Sequence, residues 1–157
     1  MRHNIAPTTL LIVFAATLVV SMAQTAQAVD AACSFARAAG TYGVSDSGTV
    51  VGIGPRATVA LLTFDAAGNV KAKVTASLNG SVTKSTLSGT YTVNPDCTGT
   101  ATFSEFDQSG NLVLTATVDA VWDDNMREAR FIFTSVVLAD GTPLATVISG
   151  DGRKLVP

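Results

Sequence analysis

The chain of 157 residues holds a single histidine, His3. That scarcity excludes more chemistry than any motif assigns. Ser-His-Asp and Cys-His catalysis need an imidazole, and His3 lies in the N-terminal segment that reads as a cleaved export signal; His-built zinc or iron sites need several. Cysteine is nearly as scarce. Cys33 and Cys97 are the whole supply, too few for a thiolate metal cage. No P-loop run and no strand–glycine–helix fingerprint for a dinucleotide occurs, so no cofactor is expected. Windows of strong helix formers are missing, and only Asp123–Arg130, "DDNMREAR", reads as a helical turn. The one long apolar run, Leu10 to Val20, is too short to span a bilayer comfortably.

That run belongs to a targeting segment. "MRHN" supplies a short positive start, an apolar stretch follows, and "AQA" at Ala26–Ala28 is a small-residue cleavage site. Residues 1–28 therefore read as a cleaved export signal and 29–157 as one domain. Asp30 in "DAAC" stands where a lipid-anchor signal wants leucine, which argues against an anchor on Cys33. Removing 28 of 157 residues leaves 129, enough for a single sizeable core. Losing Arg2 leaves nine Lys/Arg against twelve Asp/Glu, a formal charge of −3. Such mild acidity argues against a nucleic-acid partner and against polybasic docking on membranes. Export, to the periplasm or beyond, brings Cys33 and Cys97 into an oxidising compartment, where pairing is the default. The bond would close a loop of about 65 residues and constrain the unfolded chain by roughly 4 kcal/mol.

After Ala38 the hydrophobic period is two. "VKAKVTAS" sets Val70, Val74 and two alanines against Lys71, Lys73, Thr75 and Ser77. "LVLTATVD" does the same from Leu112. Such alternation marks strands with two unlike faces. A repeat then supplies the turns. "FDAAGNV" at Phe64–Val70 and "FDQSGNL" at Phe106–Leu112 share Phe-Asp-x-x-Gly-Asn-aliphatic. Asp opens a type I turn by bonding the backbone ahead of it, and Gly takes the left-handed position that follows. A calcium loop would need more converging oxygens than one Asp and one Asn. "LADGTPLATV" gives a looser third version. Gly-Thr-Tyr recurs at Gly40–Tyr42 and Gly89–Tyr91, suggesting two equivalent halves with a glycine-rich loop, Asp46–Arg56, as surplus in the first. A strand rather than a helix follows that loop, which argues against a phosphate cradle.

Eight strands are predicted, over 38–45, 57–64, 70–78, 85–93, 99–106, 112–122, 128–138 and 143–149. Hairpin links make a meander, and eight twisted strands can close on themselves. The fold class is an all-β, eight-stranded antiparallel up-and-down barrel, with a two-sheet sandwich as the alternative. Thr, Ser and Ala dominate one face of many strands, larger side chains the other. Small residues inside would leave a hydroxyl-lined cavity. Large residues inside would pack the barrel solid, the common arrangement for antiparallel sheets.

Candidate site residues are few. Glu105 and Asp119 are carboxylates within strands, available for proton handling if they face inward, and otherwise part of a solvated face. Tyr42, Tyr91 and Trp122 are polar aromatics able to stack on a ligand at a barrel mouth, or to serve as core. Phe131 and Phe133 read as core.

"SGTYTVNPDCTGTATF" at Ser88–Phe103, preceded by "AGTYGVS", resembles a set of uncharacterised exported bacterial proteins with the same Gly-Thr-Tyr and Asp-Cys-Thr-Gly signatures. The resemblance implies a scaffold and no activity. At fold level the pattern is similar to calycin-like and allene-oxide-cyclase-like barrels, which hold apolar ligands, although the lipocalin Gly-x-Trp is absent near the first strand. The expected function is an exported barrel holding a small apolar or amphipathic molecule. A packed envelope scaffold without a ligand is the alternative, and a histidine-free cyclase or isomerase is a third reading.

Overall fold

The segments of period two become eight strands joined by short links. The structure, a computed structural model, describes residues 33–155. The export signal of residues 1–28 lies outside them. A single helical turn, α1 (Phe35–Ala38), precedes β1 (Gly40–Val50), β2 (Gly54–Phe64), β3 (Asn69–Leu78), β4 (Ser81–Tyr91), β5 (Thr98–Phe106), β6 (Leu112–Trp122), β7 (Glu128–Leu138) and β8 (Thr146–Lys154). Each strand pairs with the next, and β8 pairs back onto β1, giving a closed antiparallel barrel. The seam runs from Tyr42↔Lys154 to Val50↔Thr146. Closure removes both sheet edges, which would otherwise invite pairing with other chains.

The repeated turns close as their composition demands. Asp65 Oδ1 accepts from Ala67 N at 2.9 Å and Asn69 N at 2.8 Å, and Asn69 Nδ2 donates to Oδ2 at 2.8 Å. Asp107 repeats this with Ser109 N at 2.8 Å, Asn111 N at 2.9 Å and Asn111 Nδ2 at 3.0 Å. Gly68 and Gly110 take the left-handed position with φ of 87° and 84°, a region costly for any residue with a Cβ. The same bonds hold the exposed carboxyls of Asp65 and Asp107 below the usual aspartate range, through Asn69 and Asn111 respectively.

Several expectations need correction. The stretch Asp46–Arg56 is not a glycine-rich loop, because β1 and β2 run through it and only residues 51–53 turn. β4 starts at Ser81, because Asn79-Gly80, both at positive φ, makes a two-residue hairpin with Leu78 opposite Ser81. β8 ends at Lys154 rather than 149. The "DDNMREAR" segment is a hairpin, with Asp123 Oδ1 accepting from Arg127 N at 2.7 Å and Met126 at the left-handed position. The helical turn lies instead at Phe35–Ala38, capped by Ser34. The two Gly-Thr-Tyr segments are not equivalent either. Tyr42 lies near the start of β1 and Tyr91 ends β4, strands that run in opposite directions, so both tyrosines reach the same end of the barrel.

Cys33 and Cys97 are bonded, with Cα atoms 5.1 Å apart. Cys97 has φ 67° in the turn Asn94–Thr98, at the position that Gly68 and Gly110 take in the Asp65 and Asp107 turns. The bond fastens α1 across one end of the barrel. Replacing both cysteines by alanine should lower stability by roughly 3–4 kcal/mol while leaving the sheet intact. Urea unfolding followed by far-UV circular dichroism checks this, and an unchanged midpoint would refute it.

Candidate functional site

The interior divides along the barrel axis into three zones. The first is an aromatic plug under α1. Phe64 stands at its centre, with ring centroids 5.4 Å from Tyr42, 4.5 Å from Tyr91 and 6.2 Å from Trp122. Phe35 of α1 packs edge-on against Tyr91 at 5.1 Å. The fully buried Tyr42 hydroxyl lies 3.0 Å from Ala38 O and 2.9 Å from Met126 O, so its one hydrogen ties the helix and the β6–β7 turn to the barrel. Tyr91 donates to Asp65 O at 2.6 Å. Lys154 Nζ donates to Arg37 O at 2.9 Å and sits 5.8 Å from the Tyr42 ring centre. Burial, and then the charge of Arg127, lower the Lys154 pKa. Trp122 Nε1 is buried without a hydrogen-bond partner among the described residues.

The second zone is a cavity of about 80 Å³. It is several times the roughly 10–15 Å³ that admits one water and well short of the roughly 300–1,000 Å³ of sites for drug-sized ligands. Its wall is mainly apolar, with Ala60, Leu62, Val74, Phe103, Phe131 and Phe133 prominent. These larger faces turn inward, as expected for an antiparallel sheet. The alternative of a hydroxyl-lined interior does not form, and Thr58 is the one Thr or Ser side chain in the wall. The Thr and Ser hydroxyls pair across strands on the outside instead, Thr92 with Thr100 and Thr102 with Thr117 at 3.1 Å, and Ser104 with Thr115 at 3.4 Å. The cavity survives because alanines and glycines share the inward face with the rings.

The third zone is polar, and the alternation of the sequence did not reveal it. Asp46 faces inward from β1 opposite Thr58 of β2 and Gly150 of β8. Arg56 Nη1 forms an ion pair with Asp46 Oδ1, and its guanidinium lies 5.5 Å from the Phe133 ring centre. Ser85 Oγ donates to Glu105 Oε1. Burial raises the Asp46 pKa and the Glu105 charge adds to the rise, while Arg56 opposes both. Thr58 also favours the ionised carboxylate, yet its Oγ1 meets no partner at hydrogen-bond geometry among the described residues. The opposed signs of Asp46 and Arg56, flanking one turn, were a usable signal; the glycines between them read as loop and hid it.

Of the residues picked from sequence, Glu105 and Tyr42 line the cavity. Tyr91 and Trp122 lie in the plug. Asp119 is exposed on the outer face of β6, in a shallow groove with Arg130, and is not brought together with Glu105. Among the described residues no group of three or more His, Cys, Asp or Glu could hold a metal.

No protein-family profile matches the chain, and no curated protein matches it. Solved structures do. The redesigned β-barrel mFAP1, bound to DFHBI, superposes with a TM-score of 0.51 at 14% identity, over 77% of this chain and 98% of that one. The redesigned barrel b11L5F_LGL gives 0.47 at 12% identity, over 78% and 96%. The S-type phycobiliprotein lyase CPES of Guillardia theta gives 0.46 at 10% identity, over 78% and 91%. These likenesses are of fold. The chain is a small β-barrel protein with a plugged end and an internal cavity.

Burial pushes both Tyr42 and Tyr91 up to about 12 from an ordinary 10.0, with the charges of Asp123 and Asp65 adding to the rise. A folded-state pKa above the unfolded one stabilises fully below pH 10, and that stability is lost as pH rises through 12. Tyrosinate absorbance at 295 nm should therefore stay flat through pH 10 and then rise together with unfolding. Titration of either tyrosine near 10 in the folded protein would contradict the plug.

Proposed function

We propose that this chain is an exported protein, cleaved after Ala28, whose barrel holds a small apolar or amphipathic molecule. The observation that carries this reading is the apolar cavity ending in buried polar groups. Pockets for small molecules combine an apolar wall with a few placed polar groups in this way. The fold is compatible with such use, since mFAP1, a barrel of similar architecture, is bound to DFHBI. The cavity restricts the occupant to a single ring or a short chain.

Export is supported by the signal-like N-terminus and by the Cys33–Cys97 bond, which suits an oxidising compartment. No helix among the described residues is long and apolar enough to cross a membrane. Catalysis has little to stand on here, because the sequence pairs no carboxylate with a base and Asp119 is remote from the interior.

Native mass spectrometry of the unreduced protein recovered from the periplasm or medium tests all parts at once. The expected chain begins at Val29, is two hydrogens lighter than the reduced mass, and carries a small adduct that leaves on gentle activation. Ala60→Leu, which fills the cavity, should abolish the adduct at a cost of about 1–3 kcal/mol. An adduct-free protein that also takes up no small apolar probe would establish a ligand-free scaffold instead.

A further inference from the structure

The charge balance of the polar zone selects among possible occupants. It holds two carboxylates, Asp46 and Glu105, against one guanidinium, Arg56. Arg56 is already committed, to Asp46 by an ion pair and to Phe133 by its face. Its side chain is only 15% exposed, and that of Asp46 6%. A second anion entering the cavity would find no cation in its wall besides the committed Arg56 and would meet two carboxylates at short range in a poorly screened interior.

The unspent capacity lies on the acceptor side. Glu105 takes one hydrogen bond, from Ser85, on Oε1. Its Oε2 has no partner among the described residues. Thr58 is 6% exposed and lines the cavity; its hydroxyl favours the Asp46 carboxylate without reaching hydrogen-bond geometry, and its Oγ1 accepts from no donor among the described residues. A buried hydroxyl in that state carries a desolvation cost that a ligand group would relieve. Glu105 also borders a groove on the outer rim, with Lys84, Ser85, Asp107 and Gln108, so it stands between the cavity and that rim. Phe103 and Phe131 also line the cavity, and an aromatic ring whose face meets an ammonium group attracts it.

We propose that the occupant is a small amphipathic cation, an apolar body carrying one ammonium group, received by Glu105 and Thr58 while the body fills the cavity. An ammonium group would bring the zone to neutrality and supply the hydrogens that both acceptors lack. An alcohol would satisfy Thr58 but leave the net charge. A carboxylate would be repelled. This inference rests on the reading of the barrel as a binding protein and adds the ligand class.

Three probes with one hydrocarbon body decide it: benzylamine, benzyl alcohol and benzoate, titrated by calorimetry at pH 7 into the disulfide-bonded protein. Benzylamine should bind roughly tenfold tighter than benzyl alcohol, the scale of a hydrogen bond to a charged group, and benzoate should not bind. Glu105→Gln keeps an acceptor for Ser85 and removes the charge, so it should erase the amine preference and bring benzylamine to the affinity of benzyl alcohol. Thr58→Val should weaken the amine and the alcohol alike. Benzoate binding as tightly as benzylamine, or an amine preference surviving Glu105→Gln, would overturn the cation assignment and leave the binding barrel standing. Failure of all three probes, in a protein that stays empty in native mass spectrometry, would overturn both.

Discussion

The β1–β8 seam, paired from Tyr42↔Lys154 to Val50↔Thr146, sets the terms for the rest of the molecule. Once it closes, the eight-stranded sheet encloses an interior only about as wide as the side chains that fill it. Each inward position then draws on the same limited space. Gly150, on the seam strand β8, shows how tight the allocation is. A Cβ there would stand 2.6 Å from Phe131 Cζ and 2.8 Å from Asp46 Cβ. The glycine leaves the room that the ring and the carboxylate occupy.

Within that fixed volume the two ends behave differently because of what covers them. At the α1 end, rings interlock and the hydroxyls of Tyr42 and Tyr91 bond backbone carbonyls, so both hydroxyls are satisfied and space is filled, with Trp122 Nε1 a buried group left without a partner among the described residues. The disulfide holds the covering segment through a turn, Asn94–Thr98, that closes like the Asp-Gly loops. Among the described residues no helix covers the other end. Between plug and ion pair, Ala60, Ala101, Ala129 and Gly152 share the wall with three phenylalanines, and a cavity opens there.

Much of this architecture was legible in the sequence. Period-two alternation and the Phe-Asp-x-x-Gly-Asn loops place β3, β5, β6 and β7 nearly to the residue, and the disulfide follows from the cysteine count. The first hairpin was misread because Ser47-Gly48 and Gly52-Ile-Gly-Pro55 carry turn chemistry inside a long strand pair. Glycine there serves close packing, since a Cβ at Gly48 would meet Val147 O at 2.0 Å. The inward face of β2 was equally hidden. Ala57, Val59 and Leu61 are as apolar as Ala60, Leu62 and Phe64, so alternation does not say which set points in. Val59 and Leu61 point out, at 62% and 50% exposure. In β7 a bulge opposite Thr117/Val118 shifts the phase, so that Phe131, Phe133 and then Val136 all face the interior. Local composition carries no trace of such a shift.

The site was less legible than the fold, for a reason that bears on its purpose. A buried Asp–Arg pair contributes little net stability, because desolvating two charges offsets most of their attraction. An apolar pair at positions 46 and 56 would fill the same barrel at least as well. The surroundings nonetheless fit the charges. Phe133 lies under the guanidinium, Gly150 clears the carboxylate, and Glu105 is set close enough to raise the Asp46 pKa while Ser85 holds it in place. Several strands thus spend inward positions on a cluster that stability alone does not require. A cluster placed at such cost, beside a hydroxyl that accepts from no donor among the described residues, is what the proposed binding role would require and what stability alone would not.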